Sequence, residues 1–230
     1  MKTFIRRTDG SIEKRDMEID LSGLQTLPED VSKMVSIHQD DDAESPREWE
    51  QAATLSCVHR RYNLGDLQSS DSTGVLQKLV EKYAEDAQRA GFRKTAERLK
   101  KRLEFIWENE DKLLKVLEEY GAVLPLYLYD HSGITMSTYP FSCQWDSGQV
   151  GYAALSRWGY RLSVNKGKFD KSNAEDIIRS EVNAYDEYLK GESYSIEYLQ
   201  RTAEGYDCYF VCGYLGSDNA VEAAEEMIKE

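Results

Sequence analysis

The spacing of apolar positions changes several times along the chain, and each change marks an element. Phe4 and Ile5 sit among polar neighbours, Asp9-Gly10 signals a turn, and Met17, Ile19 and Leu21 alternate with charged residues, which predicts a strand pair over 3–8 and 11–20. A short helix is expected over 29–33 after Pro28, then an acidic loop over 38–46, and a strand over 55–61 that ends at Asn63-Leu64-Gly65-Asp66. From Asp71 or Ser72 the period becomes helical. Val75, Leu76, Leu79, Val80, Tyr83 and Ala87 form one stripe ending at Gly91, and Leu99, Leu103, Ile106, Leu113 and Leu117 carry a second helix over 94–120.

After Gly121 the β pattern returns. A hairpin over 124–138 bends at Asp130-His131-Ser132-Gly133, and strands are expected over 150–155 and 160–164. An amphipathic helix follows over 170–189, then strands over 194–200 and 207–214, and a closing helix over 219–228. The predicted fold class is α+β, a mainly antiparallel sheet packed by helices around one core. Residues 1–71 and 120–230 make the core domain, and 72–119 form an inserted helical hairpin, a two-helix arm.

Composition narrows the class. With 40% apolar and 11% aromatic residues, the 230-residue chain has material for a sizeable core. No apolar run is long enough to span a membrane and the N-terminus lacks a secretion-signal pattern, so a cytoplasmic location, in a host cytosol, is expected. Cys57, Cys143, Cys208 and Cys212 lack the paired spacing of a zinc site and read as buried thiols; no metal site and no cofactor are expected.

The net charge of −13 is unevenly spread: residues 171–230 hold 5 basic and 14 acidic groups, whereas 72–119 hold 11 and 10. Such a field repels phosphates, which argues against direct nonspecific DNA binding, and favours encounter with basic surfaces. Glu222, Glu225 and Glu226 on the last helix, with Glu175 and Asp176, are the candidate partner-binding carboxylates.

Four segments gather polar, aromatic and glycine residues at strand ends and turns: PREW (46–49), HRRYNLGD (59–66), YDHSG (129–133) and CQWDSGQVG (143–151). Imidazole and carboxylate titrate and ligate readily, so His59, Asp130, His131 and Asp146 are candidates for acid/base or metal chemistry, although no spacing fixes two ligands on one element. Arg61, Tyr62 and Trp145 offer a planar donor and stacking rings for an anionic or nucleotide ligand. On a strand, Arg60 and Arg61 would face opposite ways, so at most one could enter a given pocket. Ser132 and Ser147 lack the GxSxG frame, Cys143 would need a nearby histidine to act as a nucleophile, and the Asp40, Asp41, Asp42, Glu44 run lacks the register of a calcium loop. Asp130 and Asp146 approach each other only if residues 139–149 fold back along the sheet.

The blocks SPREWEQAATLSCVHRRYNLGD (45–66), LPLYLYDHSGITMSTYPFSCQWDSGQVGY (124–152) and SEVNAYDEYLKGESYSIEY (180–198) resemble a family of small acidic proteins encoded by bacteriophages and related mobile elements. The resemblance implies a genetic setting and no activity. With the charge, it sets up a noncatalytic inhibitor of a host nucleic-acid-handling defence system, restriction or CRISPR, whose partner is a host protein with a basic surface. The alternatives are a nucleotide or small-metabolite binding domain or enzyme with a His/Asp/Arg pocket, and a phage regulatory or assembly protein.

Overall fold

The computed structural model describes residues 1–19, 21, 27–164 and 167–230. It is an α+β protein of two compact units, one made of 1–45 with 187–230 and the other of 46–186. This division differs from the expected core with an inserted arm. The reason lies in the packing of the helical block, described below.

In the first unit, β1 (Thr3–Arg7), β2 (Ile12–Arg15), β3 (Val31–Gln39), β9 (Ser193–Arg201) and β10 (Tyr206–Leu215) form an antiparallel sheet in the order β10-β9-β3-β1-β2. The helix α6 (Ser217–Met227) lays Ala220 and Ala224 onto Phe4, Val35, Ile37 and Ile196. Ile5, Val31, Met34 and Leu199 form a second cluster with Leu21 and Leu27. Because β3 is central and buried on both faces, its apolar residues do not alternate, and the helix expected over 29–33 is strand from Val31 onward. Met17 and Ile19 lie outside the strands, and Asp20 falls outside the described residues. This unit carries 21 acidic and 9 basic residues against 21 and 20 in the other, so almost all of the net charge resides in it.

The second unit opens with a 3-10 turn at Pro46–Glu48 and holds a sheet ordered β5-β4-β8-β6-β7. Its strands are β4 (Thr54–Cys57), β5 (Leu67–Gln68), β6 (Gly121–Asp130), β7 (Ile134–Ser137) and β8 (Ser147–Ser156). Only the β4–β5 pair is parallel. Gly65, at φ +67, makes that pair possible: a Cβ there would lie 2.8 Å from the Leu55 carbonyl oxygen.

The helical block is the cover of this sheet rather than an arm. Leu76, Leu79, Val80 and Tyr83 of α1 (Ser72–Arg89), Leu99 and Leu103 of α2 (Arg93–Ile106), and Leu113, Val116 and Leu117 of α3 (Glu110–Tyr120) share one buried cluster with Ala154 and Trp158. The Tyr83 hydroxyl donates to the Ala122 carbonyl at 2.9 Å, and buried Asp86 accepts from Ser156 Oγ at 2.7 Å. The single helix expected over 94–120 is two, broken at 107–109, where Asn109 caps α3 by accepting the Lys112 amide at 3.0 Å. Ser156 likewise caps α4 (Arg157–Ser163), accepting the Gly159 amide at 2.8 Å, so the strand expected over 160–164 is helix.

Helix α5 (Lys171–Leu189) starts after Asp170, whose carboxylate accepts the Ser172 and Asn173 amides. Within the second unit, Glu181 accepts the Ala52 amide at 2.8 Å and an ion pair from Arg47 at 3.1 Å. Arg47, 6% exposed, also forms a two-pronged pair with Asp66 at 2.9 and 2.7 Å. The carboxylates hold this guanidinium's pKa above its ordinary value although burial opposes them. The arginine of the PREW segment is therefore a structural clamp.

The thiols correct one expectation. Cys57 is buried and pushed up to about 12 by that burial, whereas Cys208 and Cys212 are exposed and Cys143 is partly so; all four are free.

Candidate functional site

Strands β4 and β6 run the same way on either side of β8; β4 stops at Cys57, paired with Gly151, while β6 continues to pair Tyr129 with Ser147 at the start of β8. Three loops therefore meet at one end of the second unit's sheet: 58–66, 131–133 and 138–146. The last folds back along the sheet, placing Phe141 5.8 Å from the Tyr129 ring, and the Asp130 amide donates to the Asp146 carbonyl at 2.8 Å. The two motifs that strand topology alone would separate are adjacent.

Between these loops lies a cleft of about 330 Å³ lined by His59, Arg60, Arg61, Asp130, Trp145 and Asp146, with Leu128, Ser147, Gly148 and Val150 completing the wall. Both arginines line it, contrary to the strand expectation. Strand β4 stops at Cys57, and His59 Nδ1 accepts the amides of Arg61 and Tyr62 at 3.3 Å each, bending the chain so that strand alternation no longer applies. The same bonds put the proton of the neutral imidazole on Nε2. Burial lowers the His59 pKa from its ordinary value; Asp130 opposes this and nearby Arg61 and Arg60 add to it, which favours the neutral ring.

The rings of His59 and Tyr62 stack at 5.0 Å and 6°, and the Arg61 guanidinium sits 5.6 Å from the Tyr62 ring centre. Arg61 also forms an ion pair with Asp130, whose other oxygen accepts the Tyr62 hydroxyl at 3.3 Å. Asp146 faces His131, with Nδ1 to Oδ2 at 3.3 Å, and Cys143 Sγ donates to the same oxygen at 3.8 Å. Thus Arg61, Tyr62 and Asp130 are tied to one another. Arg60 is exposed and has no ion-pair partner among the described residues, and Trp145 is 96% exposed.

The expected residues His59, Arg61, Tyr62, Asp130, His131, Trp145 and Asp146 are all brought to this end of the sheet. Alternation on a strand would admit at most one of the two arginines, with Arg61 the candidate; the absence of β-branched residues over 59–66 is consistent with the bend that admits both. As for nucleophiles, Cys143 meets a carboxylate, and Ser147 Oγ is engaged with the Cys143 carbonyl. Among the described residues no group of three or more His, Cys, Asp or Glu side chains is placed to hold a metal ion.

The candidate partner-binding carboxylates fall on both units. Glu175 and Asp176 lie in the second unit and both pair with Arg179 at 3.2 Å. In the first unit Glu225 pairs with Lys14 at 3.0 Å, while Glu222 and Glu226 are exposed. No described helix is long and apolar enough to cross a membrane. No family model, curated protein or solved structure matches the chain.

Proposed function

We propose that the cleft recognises a small planar anion of the mononucleotide class, bound without covalent chemistry. The observation that carries this reading is the pairing, in one cleft, of an unengaged guanidinium at Arg60 with the bare indole of Trp145. A guanidinium presents a planar fork to phosphate oxygens, and an aromatic face stacks a base for about 1–3 kcal/mol. Asp146 accepts hydrogen bonds from base amino or sugar hydroxyl groups, and neutral His59 supplies a donor. The cleft lies within the size range of small-molecule sites, about 300–1,000 Å³. The test is the melting temperature of the protein with adenosine, inorganic phosphate, ribose 5-phosphate and AMP. AMP should stabilise most by mass action, and Arg60→Ala should abolish the shift. No ligand-dependent shift in the wild type beyond that of the variant would overturn the reading.

A second reading rests on the charge of the first unit. Its 21 acidic against 9 basic residues suit capture of a basic surface, as an acidic inhibitor of a host nucleic-acid-handling system would require. Salt-dependent association with purified defence nucleases tests it, and no association at low salt would contradict it.

A further inference from the structure

We propose that the free edge of β10 is a docking strand onto which an extended, basic segment of a partner adds as a sixth strand of the first unit's sheet. The proposal is independent of the cleft. It rests on the second reading for the charge of the partner only.

Strand β10 stands at the end of the order β10-β9-β3-β1-β2, so among the described residues one of its edges has no neighbour in the sheet. The hairpin bond from the Thr202 amide to the Gly205 carbonyl sets the phase of pairing with β9. Residues opposite one another alternate between bonded and unbonded pairs, so with the register Asp207↔Gln200, Tyr209↔Tyr198 and Val211↔Ile196, those three β10 residues bond to β9. The opposite edge of β9 agrees: the Asp40 amide donates to the Ser193 carbonyl, the phase that assigns odd-numbered β9 residues to β3. The amides and carbonyls of Tyr206, Cys208 and Phe210 therefore point outward.

This edge has little of what blunts exposed strands. Between Tyr206 and Leu215 there is no lysine and no proline, and Asp207 is the single charge. Tyr209, Phe210 and Val211 are consecutive and exposed, Phe210 to 64%. The one interruption is the irregularity between Val211 and Tyr214, where Gly213 adopts φ +91, and it limits the regular edge to about six residues. Main-chain bonds along such an edge supply affinity, and alternate side chains supply specificity. The charge decides the occupant. A second copy would bring another unit of 21 acidic and 9 basic residues to the same edge, whereas a strand alternating basic and β-branched residues meets an opposite field.

The experiment uses the full chain and three fluorescent peptides, (Lys-Val)4, (Thr-Val)4 and (Glu-Val)4, with a form of the first N-methylated on its four central residues, which blocks two amides on each edge of the extended peptide. Anisotropy should report binding of (Lys-Val)4, weaker binding of (Thr-Val)4 and none of (Glu-Val)4. N-methylation should cost about tenfold in affinity at unchanged charge, the worth of two backbone hydrogen bonds. Phe210→Pro removes one outward amide and the exposed ring while sparing the bonds to β9, and should lower affinity by a similar factor. Should that variant not fold, the methylated peptide decides alone. Equal binding of methylated and plain (Lys-Val)4 would overturn the docking strand while leaving charge capture standing. Equal binding of (Lys-Val)4 and (Thr-Val)4, or no peptide binding, would overturn the proposal, and a dimer that Phe210→Pro dissociates would reassign the edge to a second copy.

Discussion

The Asp130 amide donates to the Asp146 carbonyl at 2.8 Å, one hydrogen-bonded step beyond the last β6–β8 pair, Tyr129 with Ser147. That bond carries the ladder into the loops and brings the YDHSG and CQWDSGQVG segments face to face. The cleft is therefore an extension of the sheet, and rigid strands position its walls.

The helical block should be inseparable from the second unit. Replacing residues 72–119 with a short flexible linker would strip the cover from Ala154 and Trp158 and leave the Ala122 carbonyl and Ser156 hydroxyl without their partners Tyr83 and Asp86. The expected outcome is loss of cooperative unfolding of this unit in denaturant titrations. A retained cooperative transition of unchanged amplitude would show that the sheet stands without the helices.

Arg47→Ala should destabilise by about 3–5 kcal/mol, because it leaves Asp66 and Glu181 as partly buried carboxylates without their counter-charge. Arg47→Lys should recover only part of this, since an ammonium cannot reproduce the two-pronged pair with Asp66. Chemical denaturation at neutral pH measures both.

The alternating and helical periods disclosed most elements, including the β6–β7 hairpin, α1, α5, β9, β10 and α6. Local signals misled where tertiary context took over. β3 is buried on both faces and shows no alternation, and Ser156 turns an apolar, aromatic stretch into a helix by capping it. The break at 107–109 is set by Asn109, which lies inside an otherwise helical period. The cleft's residues were legible as chemistry, but their meeting was not: it depends on the return of 138–146 and on the bend that His59 imposes, both long-range or side-chain events. The division into two units was also hidden, because the second unit is inserted into the first and strands from both ends of the chain pair as β3 with β9.

A pH signature follows from His59. Burial and the neighbouring arginines hold its folded pKa below 6.5, so between the folded and unfolded values the unfolded chain binds more protons. Its contribution to stability is complete above about pH 6.5 and declines as pH falls through that value. His59→Asn keeps an acceptor for the two amides and removes the titration. The stability of wild type minus that of the variant should fall on going from pH 7 to pH 5, and a difference that stays constant or grows would contradict the assignment.

The cleft's proposed role is tested most directly by the indole N–H resonances of the four tryptophans in a nitrogen-labelled protein titrated with AMP. The Trp145 peak should shift progressively while those of Trp49, Trp107 and Trp158 stay fixed, and Arg60→Ala should flatten the titration. A Trp145 resonance that does not move at millimolar AMP, or one that moves as much in the Arg60→Ala variant, would contradict the account.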